Sequence, residues 1–392
     1  MVSRRLRRGG GTTLPGVVAR FVQPDVAAGL AARLPEGSIV VSGTNGKTTT
    51  TRLLAAMLAA SGRRVVHNRA GANLMSGVTT ALLEQRGDIG LFEVDEATIP
   101  AAIRELRPRL VLCLNLFRDQ LDRYGELNTL AAKWGQALAQ LPAEATVLLN
   151  ADDPLLAHLG ASLPCKLAYF GVDSPTQTLG EMQHAADSLY CPRCSALLAF
   201  EAVYYGHLGD YHCPGCGWLR PQRDFAARDV RLGLDAPTHF RLPSGLPVAP
   251  AAQQAGASAA AQQNRTAFGQ HGDAPLQAVR AGVSSTLRES DIAGPSGSPD
   301  AEIAEDAPSA RGAADLCLES GLPGLYNVYN VLAACAAALT LGLEPGTVKD
   351  TVAAFGGAFG RTELVQMQGK RLRLLLAKNP VGYNEVIRTL LL

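Results

Sequence analysis

Ser42-Gly43-Thr44-Asn45-Gly46-Lys47-Thr48-Thr49-Thr50 decides how this chain is read. The stretch follows an apolar β-branched run, Ile39-Val40-Val41, and opens a segment with Leu53, Leu54, Met57 and Leu58 at helical spacing. Strand, glycine-rich turn and helix, in that order, are the context in which a phosphate-binding loop works. Gly43 and Gly46 let the backbone curl so that successive N–H groups point at phosphate oxygens. The helix behind them adds the partial positive charge of its N-terminus. Lys47 is placed to reach the β- and γ-phosphates, and the Thr48 hydroxyl to ligate Mg²⁺. The match departs from a full Walker A pattern at Val41, where that pattern has glycine. The bland alternative is a Gly/Thr-rich turn with a solvated lysine, and the flanking strand and helix weigh against it. The loop reads as a nucleotide site, with Gly43, Thr44, Asn45, Gly46, Lys47, Thr48 and Thr49 as its binding residues.

Outward from the loop, strand-like and helix-like segments alternate over residues 37–170. Ser38–Val41, Arg64–His67, Ile89–Val94, Leu110–Asn115 and Thr146–Asn150 read as strands, and Thr129–Gln140 as one of the helices between them. That rhythm predicts an α/β domain with a mostly parallel, doubly wound sheet. Ligands in such sheets sit at the carboxyl ends of the strands. Asn68–Gly77, Glu93–Glu96, Asn115–Arg123 and Asn150–Asp153 join Gly43–Thr48 at that edge.

The chain has 392 residues, enough for large cores and more than one domain. With a net charge of +1, no global charge argues for nucleic acid or an anionic membrane, and no nucleic-acid partner is expected. No apolar run approaches the about 18–20 residues needed to cross a bilayer, so no transmembrane segment is expected. Arg4, Arg5, Arg7 and Arg8 open the chain, but Gly9–Gly11, Pro15 and Arg20 break up the stretch after them. This reads as a solvated basic start rather than an export signal, and the protein as cytoplasmic.

Cysteines are unevenly placed. Cys113, Cys165, Cys317 and Cys335 stand singly in apolar settings and read as buried small hydrophobes. Cys191-Pro-Arg-Cys194 and Cys213-Pro-Gly-Cys216 form two C-x2-C turns with 18 residues between them. That spacing fits a tetrathiolate zinc site, structural because four thiolates fill the tetrahedral shell. Disulfides or a redox pair are the alternatives, and a cytosolic chain with two matched turns favours neither. The segment 185–222 is expected as an inserted ribbon. Residues 246–312, rich in Ala, Gln, Ser, Gly and Pro, are expected as a disordered insertion. Order resumes at Leu322, with a helix through about Leu341, and a strand at Leu372–Leu376 begins a further domain.

Carboxylates supply the rest of the chemistry. Glu93-Val-Asp95-Glu96 ends a strand that faces the loop, where hard oxygens suit Mg²⁺. A solvated acidic turn is the alternative. Asn150-Ala-Asp152-Asp153-Pro154 could contact a base or ribose, or be an ordinary turn. Asn327 and Asn330, three apart on a helix, could frame an adenine, or simply cap a helix. Arg118, Asp119, Asp122 and Arg123 are a dense charged cluster, with a surface salt-bridge network as the alternative.

Together these segments resemble the Mur ligase family, the ATP-dependent amide-bond-forming enzymes of cell-wall synthesis. The likeness rests on GTNGKTTT at 43–50, NRAGAN at 68–73, EVDE at 93–96 and NLFRDQLDRYGEL at 115–127. NADDP at 150–154, LYNVYN at 325–330 and FGRTE at 359–363 extend it. The CPRC and CPGC turns, with LAKNPVGYNEV at 376–386, look like its MurT branch, the synthetase subunits of lipid II isoglutaminyl synthase. The resemblance implies a Mur-ligase central domain over 37–365, preceded by an N-terminal segment 1–36. It also implies that 366–392 starts a C-terminal α/β domain that is cut short. The implied reaction is ATP-dependent amidation of the α-carboxylate of D-isoglutamate in the lipid II stem peptide, which places peptidoglycan synthesis at the cytoplasmic membrane face. Ammonia would come from a GatD-like glutaminase in a heterodimer. By the same resemblance, Lys47, Glu96, Glu93 and Arg361 would be catalytic, Thr48 and Glu96 would hold Mg²⁺, and Asp152, Asn327 and Asn330 would hold the nucleoside. The pair Asp119-Gln120 stands where many family members have Asp-His. Another Mur-type amino-acid ligase, and an idle nucleotide- and zinc-binding scaffold, are the competing readings.

Overall fold

A computed structural model describes residues 13–68, 71–118, 126–180, 186–243, 315–356, 362–368, 370–377 and 379–392. Arg361, the Asp119–Arg123 part of the charged cluster and the 246–312 insertion lie outside the described residues.

Five strands of the α/β rhythm form at the expected places: β1 Ser38–Ser42, β2 Val65–His67, β3 Ile89–Glu93, β4 Leu110–Cys113 and β5 Thr146–Asn150. Along each of them successive side chains enter opposite cores. Ile39 and Val41 pack on one face with Leu110, Leu112 and Leu148, while Val40 packs on the other with Val111, Cys113, Val147 and Leu149. A strand apolar on both faces must be covered on both, and this sheet is. Helix α1 (Leu14–Val22), α2 (Val26–Ala31), α3 (Lys47–Ala60), α4 (Met75–Glu84), α5 (Ile99–Leu106), α6 (Glu126–Leu138) and α7 (Pro154–Leu159) lie in the first half of the chain. On one face α3 packs with α8 (Leu325–Thr340) and α9 (Pro345–Ala354), and α4 to α7 fill the other.

Four more strands extend the sheet: β6 Lys166–Asp173, then β9 Phe225–Arg231, β10 Thr238–Leu242 and β11 Leu316–Ser320. The order is β11-β10-β9-β6-β5-β4-β1-β3-β2. Pairing is parallel from β9 to β2 and antiparallel at β9–β10 and β10–β11. The order reverses at β1, between β3 and β4, which is where an open α/β sheet forms a ligand crevice. Val41 pairs with Glu93 on one side and Ser42 with Cys113 on the other. The loop after β1 is therefore flanked by the ends of β3 and β4.

Between β6 and β9 the chain leaves the sheet to form a hairpin, β7 Ala199–Tyr205 with β8 Leu208–His212. After α9 a second hairpin, β12 Thr362–Met367 with β13 Lys370–Leu375, leads into α10 (Pro380–Leu390). Of the four single cysteines, Cys113, Cys165 and Cys335 are buried as expected, but Cys317 is exposed. It lies on edge strand β11, whose alternation turns Leu316 and Leu318 inward and Cys317 outward. No helix among the described residues is long and apolar enough to cross a membrane.

Candidate nucleotide and metal sites

Gly43 and Gly46 give the loop its shape, with φ of 149° and 88°. A Cβ on Gly46 would stand 2.0 Å from Asn330 Oδ1, and one on Gly43 would stand 2.8 Å from Leu114 Cβ. Only glycine fits between the loop and its neighbours at these two positions. Helix α3 starts directly after Gly46, and Thr48, Thr49 and Thr50 in its first turn are buried.

The loop is clamped from β4. Thr44 N–H donates to the Asn115 carbonyl (2.9 Å), while the Asn115 side chain accepts from Asn45 N–H (2.8 Å) and donates to the Asn45 carbonyl (3.1 Å). The Thr44 hydroxyl donates to the Phe117 carbonyl and accepts from Phe117 N–H, each at 3.0 Å. Two distant segments reach Asn45 as well. Its amide donates to the Tyr205 hydroxyl (3.1 Å), at the end of β7, and its Oδ1 accepts from Asn379 (3.3 Å), which caps α10.

Cation and acids meet at the start of α3. Lys47 Nζ donates to the Gly43 and Thr44 carbonyls and pairs with Glu96 at 3.2 Å. The Thr48 hydroxyl donates to Glu93 Oε1 at 3.2 Å. The acidic turn is thus sorted by its neighbours: Glu93 stands beside Thr48, and Glu96 beside Lys47. Asn68 pins β3 by accepting from Glu93 N–H (3.0 Å) and donating to its carbonyl (2.7 Å). Trp134, wholly buried on α6, donates to the Glu96 carbonyl (2.8 Å). Asp95 instead caps the short 3₁₀ turn by accepting from Ala97 N–H.

Asn330 packs on Gly46, and its amide donates to Asn327 Oδ1 at 3.1 Å. Asn327 in turn donates to the Pro323 carbonyl (2.7 Å). The structure brings Asn330 to the loop, with Asn327 one hydrogen bond behind it.

Asp152 has a different place. It is wholly buried, and its carboxylate accepts from Arg220 Nη1 (2.8 Å), Val172 N–H (2.8 Å) and the Tyr329 hydroxyl (2.6 Å). Gly171 lies so close that a Cβ there would stand 2.4 Å from Asp152 Oδ1. Burial pushes the carboxyl up from its ordinary range, and Arg220, Tyr329 and Val172 N–H pull it back. With protein donors on both oxygens, Asp152 is an internal tie rather than a surface for a ribose, and the nucleoside role expected of it is corrected. Its neighbour Asp153 caps α7 through Leu155 and Leu156 N–H and accepts from Leu116 N–H.

Cys191, Cys194, Cys213 and Cys216 converge, their sulfurs all within 4.8 Å of one another. Cys191–Cys216 is 3.7 Å and Cys194–Cys213 is 3.4 Å. These are not disulfides, whose bond is about 2.05 Å. A tetrahedron of Zn–S bonds of about 2.3 Å has an edge near 3.8 Å, so the set fits a tetrahedral metal. The two turns are built alike. Ser195 and Gly217, each following a second cysteine, have φ of 61° and 69°, and their N–H groups bond back to the Cys191 and Cys213 carbonyls.

Asn115, Phe117, Tyr205 and Asn379 are site residues that local sequence reading did not single out. Asn115 and Phe117 lay in a segment already marked at 115–127 and Asn379 in the 376–386 motif, but their contacts with the loop, and that of Tyr205, span 70 residues or more. Arg118, from the charged cluster, pairs with Asp187 through both its backbone N–H and its guanidinium.

A glycine-rich loop at the reversal point of a parallel sheet, with two glutamates at its lysine and threonine, gives the chain the framework of a P-loop α/β protein. Comparison with known proteins narrows the class. The Mur ligase middle domain matches residues 41–191. A MurT subunit of lipid II isoglutaminyl synthase from Streptococcus pneumoniae (strain ATCC BAA-255 / R6) is 30% identical over 387 residues, 97% of this chain and 69% of that protein. Another from Staphylococcus aureus (strain N315) is 35% identical over 218 residues, 55% of this chain and 48% of that protein. Among solved structures, a pseudomurein peptide ligase type C from Methanothermus fervidus shares the fold at a TM-score of 0.60 and 20% identity, over 92% of this chain and 57% of that one. MurF from Acinetobacter baumannii does so at 0.57 and 16%, over 93% and 56%. The match with the Staphylococcus relative spans about half of its length. The chain belongs to the MurT family of Mur-type ligases.

Proposed function

We propose that this chain is the ATP-dependent synthetase subunit that amidates the α-carboxylate of D-isoglutamate in the lipid II stem peptide to D-isoglutamine. The supporting observation is the assembled P-loop, with Lys47 against Glu96 and Thr48 against Glu93, in a chain of this family. A carboxylate is a poor electrophile. Its oxygen attacks the γ-phosphorus of ATP, ADP leaves, and the acyl phosphate formed offers phosphate as a leaving group. Ammonia then attacks the acyl carbon, and phosphate departs. Loop N–H groups and Lys47 bind the phosphates and offset the charge that builds on the transferred group.

Thr48 and Glu93 present a hydroxyl and a carboxylate together, a donor set suited to Mg²⁺, with Glu96 next to it. The metal, when bound, neutralises phosphate charge. Asn327 and Asn330 receive the nucleoside, and Arg361 completes the phosphate side. The four cysteines hold one structural zinc in a ribbon over 185–222. A central domain spans 37–365, and 366–392 belongs to a further α/β domain. Ammonia comes from a GatD-like glutaminase partner, and the work is done at the cytoplasmic face of the membrane.

Amidation of lipid II by the purified chain with a glutaminase, ATP and glutamine tests this reading. Lys47→Ala should abolish turnover. An amino acid serving as acceptor in place of ammonia would replace the proposal with a Mur-type amino-acid ligase.

A further inference from the structure

The side chain of Asn45 is fixed by two segments that lie far from the nucleotide loop in sequence. Asn379 decides which way it points. Asn379 Oδ1 accepts from Gly382 N–H at 2.8 Å, so its amide nitrogen is the group turned towards the loop. Asn45 meets that donor with its oxygen, at 3.3 Å, and its own amide is left to donate to the Tyr205 hydroxyl, at 3.1 Å. One backbone N–H thus sets the direction of the whole relay, because an amide carries its donor and its acceptor on opposite sides. Both outer residues are buried, Asn379 at 6% and Tyr205 at 3% exposure.

The two anchors are themselves held. Arg388 on α10 donates to the Tyr204 carbonyl (2.8 Å) and the Gln177 carbonyl (2.9 Å), which ties α10 to β7 beside Tyr205. At the β7–β8 turn a Cβ on Gly206 would stand 2.8 Å from Phe117 Cε1 and 3.0 Å from Val381 Cγ1. The turn, α10 and the Phe117 ring therefore pack closely, and Phe117 is bonded to Thr44 in the loop. Asn45 directly precedes Gly46, whose left-handed backbone hands the chain into α3. Holding Asn45 aims the first N–H groups of α3, which have no acceptors within their own helix. A loop already held in its binding shape leaves less ordering for the ligand to impose. We propose that Tyr205 and Asn379 are positioning residues for nucleotide binding, acting on the loop through the Asn45 side chain. The proposal rests on the reading of the loop as an ATP site, and adds to it two residues from outside the loop, its strand and its helix.

Calorimetric titration of the full chain with ATP and Mg²⁺ provides the test. Tyr205→Phe keeps the ring against Phe117, at a centroid distance of 5.1 Å, and removes only the hydroxyl. Asn379→Ser keeps a good cap for α10 but is too short to reach Asn45. Each should weaken ATP binding by about three- to tenfold, as expected for the loss of one hydrogen bond. In an Asn45→Ala background neither substitution should weaken binding further, because the group they act on is gone. A merely structural role would carry its loss into that background undiminished, and that result overturns the proposal. Hydrogen exchange gives a second reading: amides of residues 44–48 should exchange faster in both single variants, with those of β1 and α8 as in the parent. Equal loosening of β1 and α8 also overturns it. A parent that binds ATP no more tightly than the two variants sinks this role alone, whereas a parent that binds no ATP sinks the nucleotide reading and the role with it.

Discussion

The Tyr329 hydroxyl donates a 2.6 Å hydrogen bond to Asp152 Oδ2, joining α8 to the end of β5 across 177 residues. Arg220, just beyond the second cysteine turn, grips the other carboxylate oxygen at 2.8 Å and also pairs with Asp210 on β8. Tyr329 lies between Asn327 and Asn330, so the cysteine-bearing segment is tied to the helix that packs on the nucleotide loop.

Tyr329→Phe removes one donor from a buried carboxylate. The expected loss is about 1.5–3 kcal/mol, read by urea unfolding, together with a raised KM for ATP as α8 loosens. Arg220→Met leaves the buried charge unpaired and should cost more, about 3–5 kcal/mol. Equal stability of all three proteins would show that the tie carries no energy.

Gly46→Ala combines φ of 88° with a Cβ 2.0 Å from Asn330 Oδ1. Left-handed backbone costs a non-glycine residue about 1–2 kcal/mol, and the loop must shift in addition. Nucleotide affinity should fall by about tenfold or more, measured by calorimetric titration, while the far-UV spectrum is retained.

Removing metal should act on both ends of the same tie. Cys213→Ser should lower bound zinc below one per chain and destabilise the ribbon. Because Tyr205 at the end of β7 touches Asn45, ATP affinity should fall as well. Full metal content in that variant would overturn the four-thiolate assignment.

Acid stability should respond at Asp88. The Arg64 guanidinium, with Arg64 N–H, holds its carboxyl down to about 2. A folded value below the unfolded one means stability that is present above about pH 4 and is lost as pH falls towards 2. Asp88→Asn should flatten the decline of melting temperature across that window, and an unchanged slope would show the pair to be idle.

The sequence disclosed what is local. The loop, its strand and helix, the acidic turn and the paired cysteine turns are each a contiguous pattern with one physical meaning. Asp152 shows where such reading stops. A carboxylate after a strand looks the same whether it meets a ribose or a buried arginine, and its partners stand 20, 68 and 177 residues away. Thr48 beside Glu93 rather than Glu96 is a similar case, because the turn's geometry chooses between two glutamates three positions apart. The antiparallel edge β9–β11 was not foreseen, since β10 and β11 are short and separated by residues 246–312. Arg361 lies outside the described residues.

Asn45 also carries a lesson about timing. Its backbone is held by Asn115, its amide donates to Tyr205, and its side-chain oxygen accepts from Asn379. A nascent chain therefore presents the glycines and the lysine early, but it cannot complete the brace around them until residue 379 has left the ribosome. The last contact of that brace thus joins residues 334 positions apart, long after the loop itself has been made.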